Sequence, residues 1–164
     1  MTGIQLDLQE EDGNLFTVII DHNGDLSPLI VEERILFFTD RSLLSEGLNL
    51  GAIDATQYVY DEEEIFTVYY ALAIELLTNG GRDETAVILN LLNTFDDFLI
   101  GLKITIPSEF KSEIYSIANF LTFDKSLSDY FQESTEARAR VIKSVQWCLG
   151  AILSKAKILQ KREH

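Results

Sequence analysis

Between Asp61 and Gly81 lies the stretch that most restricts how this chain can be built. The thirteen residues from Ile65 to Leu77 are apolar or aromatic almost throughout, interrupted only by Thr67 and Glu75. Asp61-Glu62-Glu63-Glu64 precedes them and Asn79-Gly80-Gly81 follows. Asp61 is suited to cap the first free amides of a helix, Glu64 to reach back as in a capping box, and the carboxylates to favour the positive end of the dipole. The glycines supply a left-handed stop. This pattern predicts one helix over 61–81. Being apolar on nearly every side, it is expected to be covered on several sides and to lie at the centre of the fold. Thirteen residues fall short of the roughly 20 that a bilayer span needs.

At 164 residues the chain is of single-domain size and can bury a core without disulfides or metal. The reading is one domain over 1–164, with residues 1–60 mainly a β-meander with a short helix and 61–164 a helical bundle. Two prolines and 46% hydrophobic residues fit a folded globule. The opening residues, Met1-Thr-Gly-Ile-Gln-Leu-Asp7, show no basic segment followed by an apolar core, so a cytoplasmic address is expected. The single cysteine, Cys148, sits on a helical apolar stripe and reads as a buried, inert thiol.

Charge is distributed unevenly along the chain. Residues 1–99 hold 20 acidic side chains against Arg34, Arg41 and Arg82, a balance of -17, whereas residues 100–164 hold 7 acidic and 10 basic, a balance of +3. Direct binding to nucleic acid or to an anionic membrane is disfavoured, because phosphate recognition needs a basic footprint. A basic protein partner would be attracted. Solubility alone is the competing explanation for the acidity.

Ile4, Leu6 and Leu8 alternate with polar residues, and the β-branched run Leu15–Ile20 follows the turn residues Glu11-Asp12-Gly13-Asn14, which predicts a β-hairpin. Leu29–Val31 and Arg34–Phe38 read as two more strands around a tight turn at Glu32-Glu33; the rival is one helix capped by Ser27 with Pro28 in its first turn. Asp40 is expected to cap a short helix that Gly47 ends, and Gln57–Tyr60 is a candidate edge strand. Beyond the 61–81 helix, Asp83 caps a second one striped with Ile88, Leu91, Leu92, Phe95, Phe98, Leu99 and Leu102, forming an αα-hairpin. Pro107-Ser108 begins a third helix, Asp124 caps a fourth and Ser134 a fifth. The stripe of this last helix is expected to run through Ala156 and Leu159, with Lys155, Lys157, Lys161 and Arg162 in its final turns. Strands first and helices after predict an α+β fold: a small N-terminal antiparallel β-meander packed against a C-terminal helical bundle.

Several clusters invite a functional reading. Asp21, Asn23, Asp25 and Glu32 stand at positions 1, 3, 5 and 12 of a loop that resembles an EF-hand calcium loop. Leu26 occupies the place of the glycine such a loop needs and Pro28 follows, so turn chemistry is the preferred account. Asp61 to Glu64, Glu75, Asp83, Asp96 and Asp97 raise the thought of a helical magnesium site like that of nucleotide pyrophosphatases. Adjacent Asp96 and Asp97 point about 100° apart on a helix and do not face one ligand. No nucleophile elbow, phosphate loop, paired-cysteine zinc pattern or dinucleotide fingerprint occurs, so no catalytic, metal or cofactor residue is assigned. Tyr69 and Tyr70 are expected in the core. Tyr58 and Tyr60 beside Asp61, Glu62 and Glu63 form the candidate partner-binding patch, aromatic area next to carboxylate. Arg138, Arg140 and Lys143 form a modest basic face.

The function these features predict is an acidic cytoplasmic protein-binding module, of the inhibitor or immunity-protein kind, that neutralises a basic, nucleic-acid-handling partner. The alternatives are a divalent-metal-dependent helical enzyme and a self-associating homodimeric subunit.

Overall fold

Short-range pairing builds the first half of the chain. The computed structural model describes residues 1–9, 13–81, 85–123 and 125–161. β1 (Thr2–Asp7) and β2 (Asn14–His22) form the expected antiparallel hairpin, with Ile4 opposite Thr17. β2 then turns through Asn23 and Gly24, both at positive φ, into β3 (Asp25–Pro28), which the sequence did not single out. β4 (Ile30–Val31) and β5 (Arg34–Phe38) are the two strands preferred over a helix, and their two-residue turn holds Glu32 at φ 53° and Glu33 at φ 62°. Two left-handed residues match the twist of flanking strands, which is why such turns join hairpins.

The fold is α+β, an N-terminal sheet followed by helices that pack on it. Two strands from later in the chain extend the meander by parallel pairing. β6 (Ile65–Tyr69) lies beside β1, and β7 (Ala156–Leu159) lies beside β5. The order is β4-β5-β2-β1-β6, with β3 on β2 and β7 on β5.

Both parallel strands correct a helical expectation. The helix predicted over 61–81 is only α2 (Tyr70–Asn79), closed by Gly80 at φ 69°. Ile65-Phe-Thr-Val-Tyr69 carries β-branched and aromatic residues that suit a sheet, and Val68 fills the core beside Leu6. Asp61 caps no helix; its carboxylate accepts from the Glu63 amide at 2.9 Å in a local turn. The last helix likewise stops at Ser154, and Lys155 to Leu159 pair with β5 instead, the Ile35 amide donating to the Lys155 carbonyl at 2.9 Å. Gln57–Tyr60 forms no strand: a 3-10 turn over Ala55–Gln57 leads into extended chain.

Strict alternation divides the strands between two cores. Ile4, Leu6, Leu15, Ile19, Ile35, Phe37 and Val68 face the helices. Phe16, Val18, Ile20, Leu36 and Phe38 face the other way, against Leu29, Val31 and Leu48. Each fully buried side chain of this size contributes about 2 kcal/mol. On the helical face lie α3 (Thr85–Gly101), α4 (Ser108–Thr122), α5 (Leu127–Phe131) and α6 (Thr135–Ser154), together with α2. The predicted stripe of α3 is buried from Ile88 to Leu99, and Phe37 meets Phe98 edge-on at 6.0 Å between centroids. Ser134 caps α6 as expected, its hydroxyl accepting from the Ala137 amide at 3.2 Å. Ser126 caps α5; Asp124 and Asp83, the expected caps of α5 and α3, lie outside the described residues.

The opposite face is roofed by residues 39–64. Within the roof, α1 (Leu44–Leu50) runs past Gly47 rather than ending there. Gly47 is buried, and a Cβ on it would overlap the Phe38 ring, so close approach to the sheet explains this glycine.

Candidate functional site

The roof gathers charge as well as covering the sheet. It carries seven carboxylates, Asp40, Glu46, Asp54 and Asp61 to Glu64, against Arg41 alone, a net -6. All seven side chains belong to exposed residues except the half-buried Asp40. Local turns fix three of them. Asp40 accepts from the Ser42 amide at 2.8 Å, Asp54 from the Thr56 amide at 3.0 Å and hydroxyl at 2.7 Å, and Asp61 from Glu63. Bonds to the Ser42 side chain and amide, with help from Lys161, hold the Asp40 carboxyl down at about 2; the Thr56 hydroxyl and amide lower Asp54 as well. Asp40 and Asp54 are therefore ionised at neutral pH.

The five residues singled out in the sequence lie on this roof. Tyr58 and Tyr60 are half-buried and pack against the second core, whereas Asp61, Glu62 and Glu63 are exposed. Tyr58 shares a hydrogen bond with His22 Nδ1 at 3.0 Å and meets that ring edge-on, which ties the roof to the β2–β3 turn. Tyr60 lines a cleft of about 380 Å³ with Arg41, Ser42, Leu44, Ser45 and Glu62. Burial first, then the Glu62 charge, raises the Tyr60 hydroxyl, so it stays a neutral donor. Arg41 donates to Gln5 Oε1 at 2.9 Å and leans over the Phe16 ring, which holds it to the sheet.

Not every front-half carboxylate joins the roof. Glu32 pairs with Lys157 at 3.1 Å, and Asp40 of the roof pairs with Lys161 at 3.3 Å; the cationic tail reaches both by following β7 along β5. Asp96 and Asp97 lie on α3, where Tyr115 donates to Asp96 at 3.0 Å. The EF-hand resemblance is overturned. Asp21 accepts from the Gly24 amide in the β2–β3 turn, while Glu32 sits in the β4–β5 turn beside Lys157. Among the described residues, no three His, Cys, Asp or Glu side chains converge as a metal site requires. Of the carboxylates in the helical magnesium reading, Asp83 lies outside the described residues.

The basic face of α6 is partly used inside the fold. Arg138 donates to the Leu77 carbonyl at 2.9 Å, satisfying the C-terminal end of α2, and stacks over Phe131. Arg140 pairs with Glu113 at 2.9 Å. Cys148 is buried as expected, and burial pushes its thiol up to about 12.

A groove lies between α3 and the free end of the sheet. Asn90, Asn93 and Asp97, a polar stripe on α3, form one wall of this groove of about 270 Å³, with Ile4 and Phe66 on the sheet side. Tyr69, expected in the core, is 45% exposed and Phe66 is 37% exposed. The signal was the i, i+3, i+7 spacing of the polar residues, but only the pairing of β6 with β1 places Phe66 opposite them.

No protein-family model and no curated protein sequence matches the chain. Among solved structures it is similar to the crystal structure of the SatS C-terminal domain in complex with bromine, with a TM-score of 0.60 and 11% sequence identity over 96% of this chain and 93% of that one. Agreement over nearly the whole of both chains supports the α+β fold described above, and at this identity it speaks to the fold alone.

Proposed function

We propose that this chain is a protein-binding module whose acidic roof, residues 39–64, docks a basic partner in the cytoplasm. An inhibitor or immunity-type protein that neutralises a nucleic-acid-handling protein is its most concrete form, the roof carboxylates taking the place of phosphates on the partner's basic surface. Long-range attraction steers the encounter, and Tyr58 and Tyr60 supply aromatic contact area at the point of docking. The observation that carries this reading is the concentration of charge on the layer covering one face of the sheet: a net -6, with Asp61 to Glu64 contiguous and exposed. Two tail lysines offset Glu32 and Asp40, while among the described residues Asp61 to Glu64 engage in no ion pair.

Calorimetric titration with decalysine tests this. The reading expects binding that weakens by at least about tenfold between 50 and 500 mM salt, because exposed charges are screened within about 10 Å at 0.1 M. The triple variant Asp61→Lys, Glu62→Lys, Glu63→Lys should lose most of that affinity, and Glu109→Lys, Asp129→Lys, Glu136→Lys on the helical layer should lose little. Equal losses from the two triples would reduce the roof to a share of the overall charge and sink the proposal.

A further inference from the structure

The two sides of the sheet are guarded differently. β7, beside β5, carries Lys157 and is flanked by Lys155 and Lys161, charges of the kind that keep a strand edge from pairing with another chain. β6, at the other end of the order, pairs only with β1, and among the described residues no backbone hydrogen bond reaches it from its far side. Ile65-Phe-Thr-Val-Tyr69 contains no lysine, no proline and no charge. An unguarded apolar edge is a template for strand addition.

The surroundings of this edge select what would add to it. Phe66 is partly exposed at the mouth of the groove under α3, with Asn90, Asn93 and Asp97 as the polar wall. Asp61 to Glu64 lead directly into the strand, so one end of an added segment would lie beside four carboxylates. A second copy of the chain, itself at -14, is repelled by the same charges. From this edge, this groove and this charge we infer that β6 is a docking strand for an extended, lysine- or arginine-bearing apolar segment of a protein partner. The segment extends the sheet by backbone pairing, seats one apolar side chain against Phe66 and directs a cation towards Asp97. The inference deepens the acidic-module reading and rests on it for the sign of the partner's charge, while the backbone-pairing part stands by itself. Partial burial, with the Asp96 charge second, raises the Asp97 carboxyl, and among the described residues Asp97 takes part in no ion pair.

The test uses the full chain and an eight-residue peptide of valine and threonine whose valines and single lysine fall on the same face of an extended strand, beside the same peptide N-methylated at alternate amides, which keeps its charge but cannot complete the backbone pairing. Hydrogen exchange across Ile65–Tyr69 should slow at least about tenfold with the first peptide and stay unchanged with the second, whose affinity should also be about tenfold lower, the equivalent of 1.4 kcal/mol. Asp97→Asn should weaken the lysine peptide several-fold and leave an alanine-for-lysine version unaffected. Equal binding of the two lysine peptides, or saturation without protection of Ile65–Tyr69, overturns the inference. Decalysine binding to the roof would survive that result, and protection of β6 without decalysine binding would leave strand addition standing while the roof proposal fell. Sedimentation of the free chain should show a monomer; a dimer with β6 protected would assign the edge to self-association and contradict it.

Discussion

Glu32 and Glu33 both occupy the left-handed region in the β4–β5 turn, where a side chain costs roughly 1–2 kcal/mol relative to glycine. Glu32 is compensated by its pairing with Lys157, whereas Glu33 is exposed and takes part in no ion pair among the described residues. Glu33→Gly should therefore raise the unfolding free energy by about 1 kcal/mol in urea denaturation, and an unchanged or lower midpoint would show that the turn is not strained. Asp97 poses the converse case. Its carboxyl is raised in the folded chain, so the folded state holds its proton to higher pH than the unfolded state does. Stability is then lost as pH climbs from the ordinary carboxylate value of 3.8 through the raised one. Asp97→Asn should stabilise the protein at pH 7 and confer nothing at pH 3, as read by thermal melts at the two values. A carboxylate kept at a cost to stability fits the docking role proposed for this groove, since functional positions are where local preference yields.

At the level of elements, what the sequence disclosed followed the range of the interactions involved. The β1–β2 hairpin, the β4–β5 turn and the starts of α4 and α6 rest on residues within a few positions of one another, and all were legible. The sequence pattern of β6 and β7 suits helix as well as strand, because an apolar run without strict alternation fits either state and only a partner strand far away in sequence decides between them. Ile152, Ala156 and Leu159 even keep helical spacing, yet the free edge of β5 takes Ala156–Leu159 as its parallel neighbour. β7 thereby becomes the lock on that edge. A chain ending at Lys155 should lose roughly 2 kcal/mol of stability from the uncovered apolar surface and aggregate faster on heating, by differential scanning and light scattering. Wild-type behaviour from the shortened chain would mean that β7 only rests on the sheet.

Across the whole molecule, the sheet separates two differently charged layers. The roof concentrates acid, while the helical layer spends Arg138 and Arg140 within the fold and sends its tail lysines to Glu32 and Asp40. The total of -14 was plain from the sequence, and so were Tyr58, Tyr60 and Asp61 to Glu63 as candidates. Their placement on one layer was not, because it depends on residues 39–64 folding back over Phe16, Val18, Leu36 and Phe38. The groove beside Phe66 was hidden for the same reason: its two walls come from β6 and α3, joined only in the folded chain. The measurement that addresses the acidic-roof account most directly is an amide chemical-shift map of the protein during titration with decalysine at low salt. The account predicts that the shifts concentrate in residues 39–64, strongest from Tyr58 to Glu64, and fade as salt is raised. Shifts spread evenly over every carboxylate, or centred on the exposed acids of α4 and α6, would contradict it.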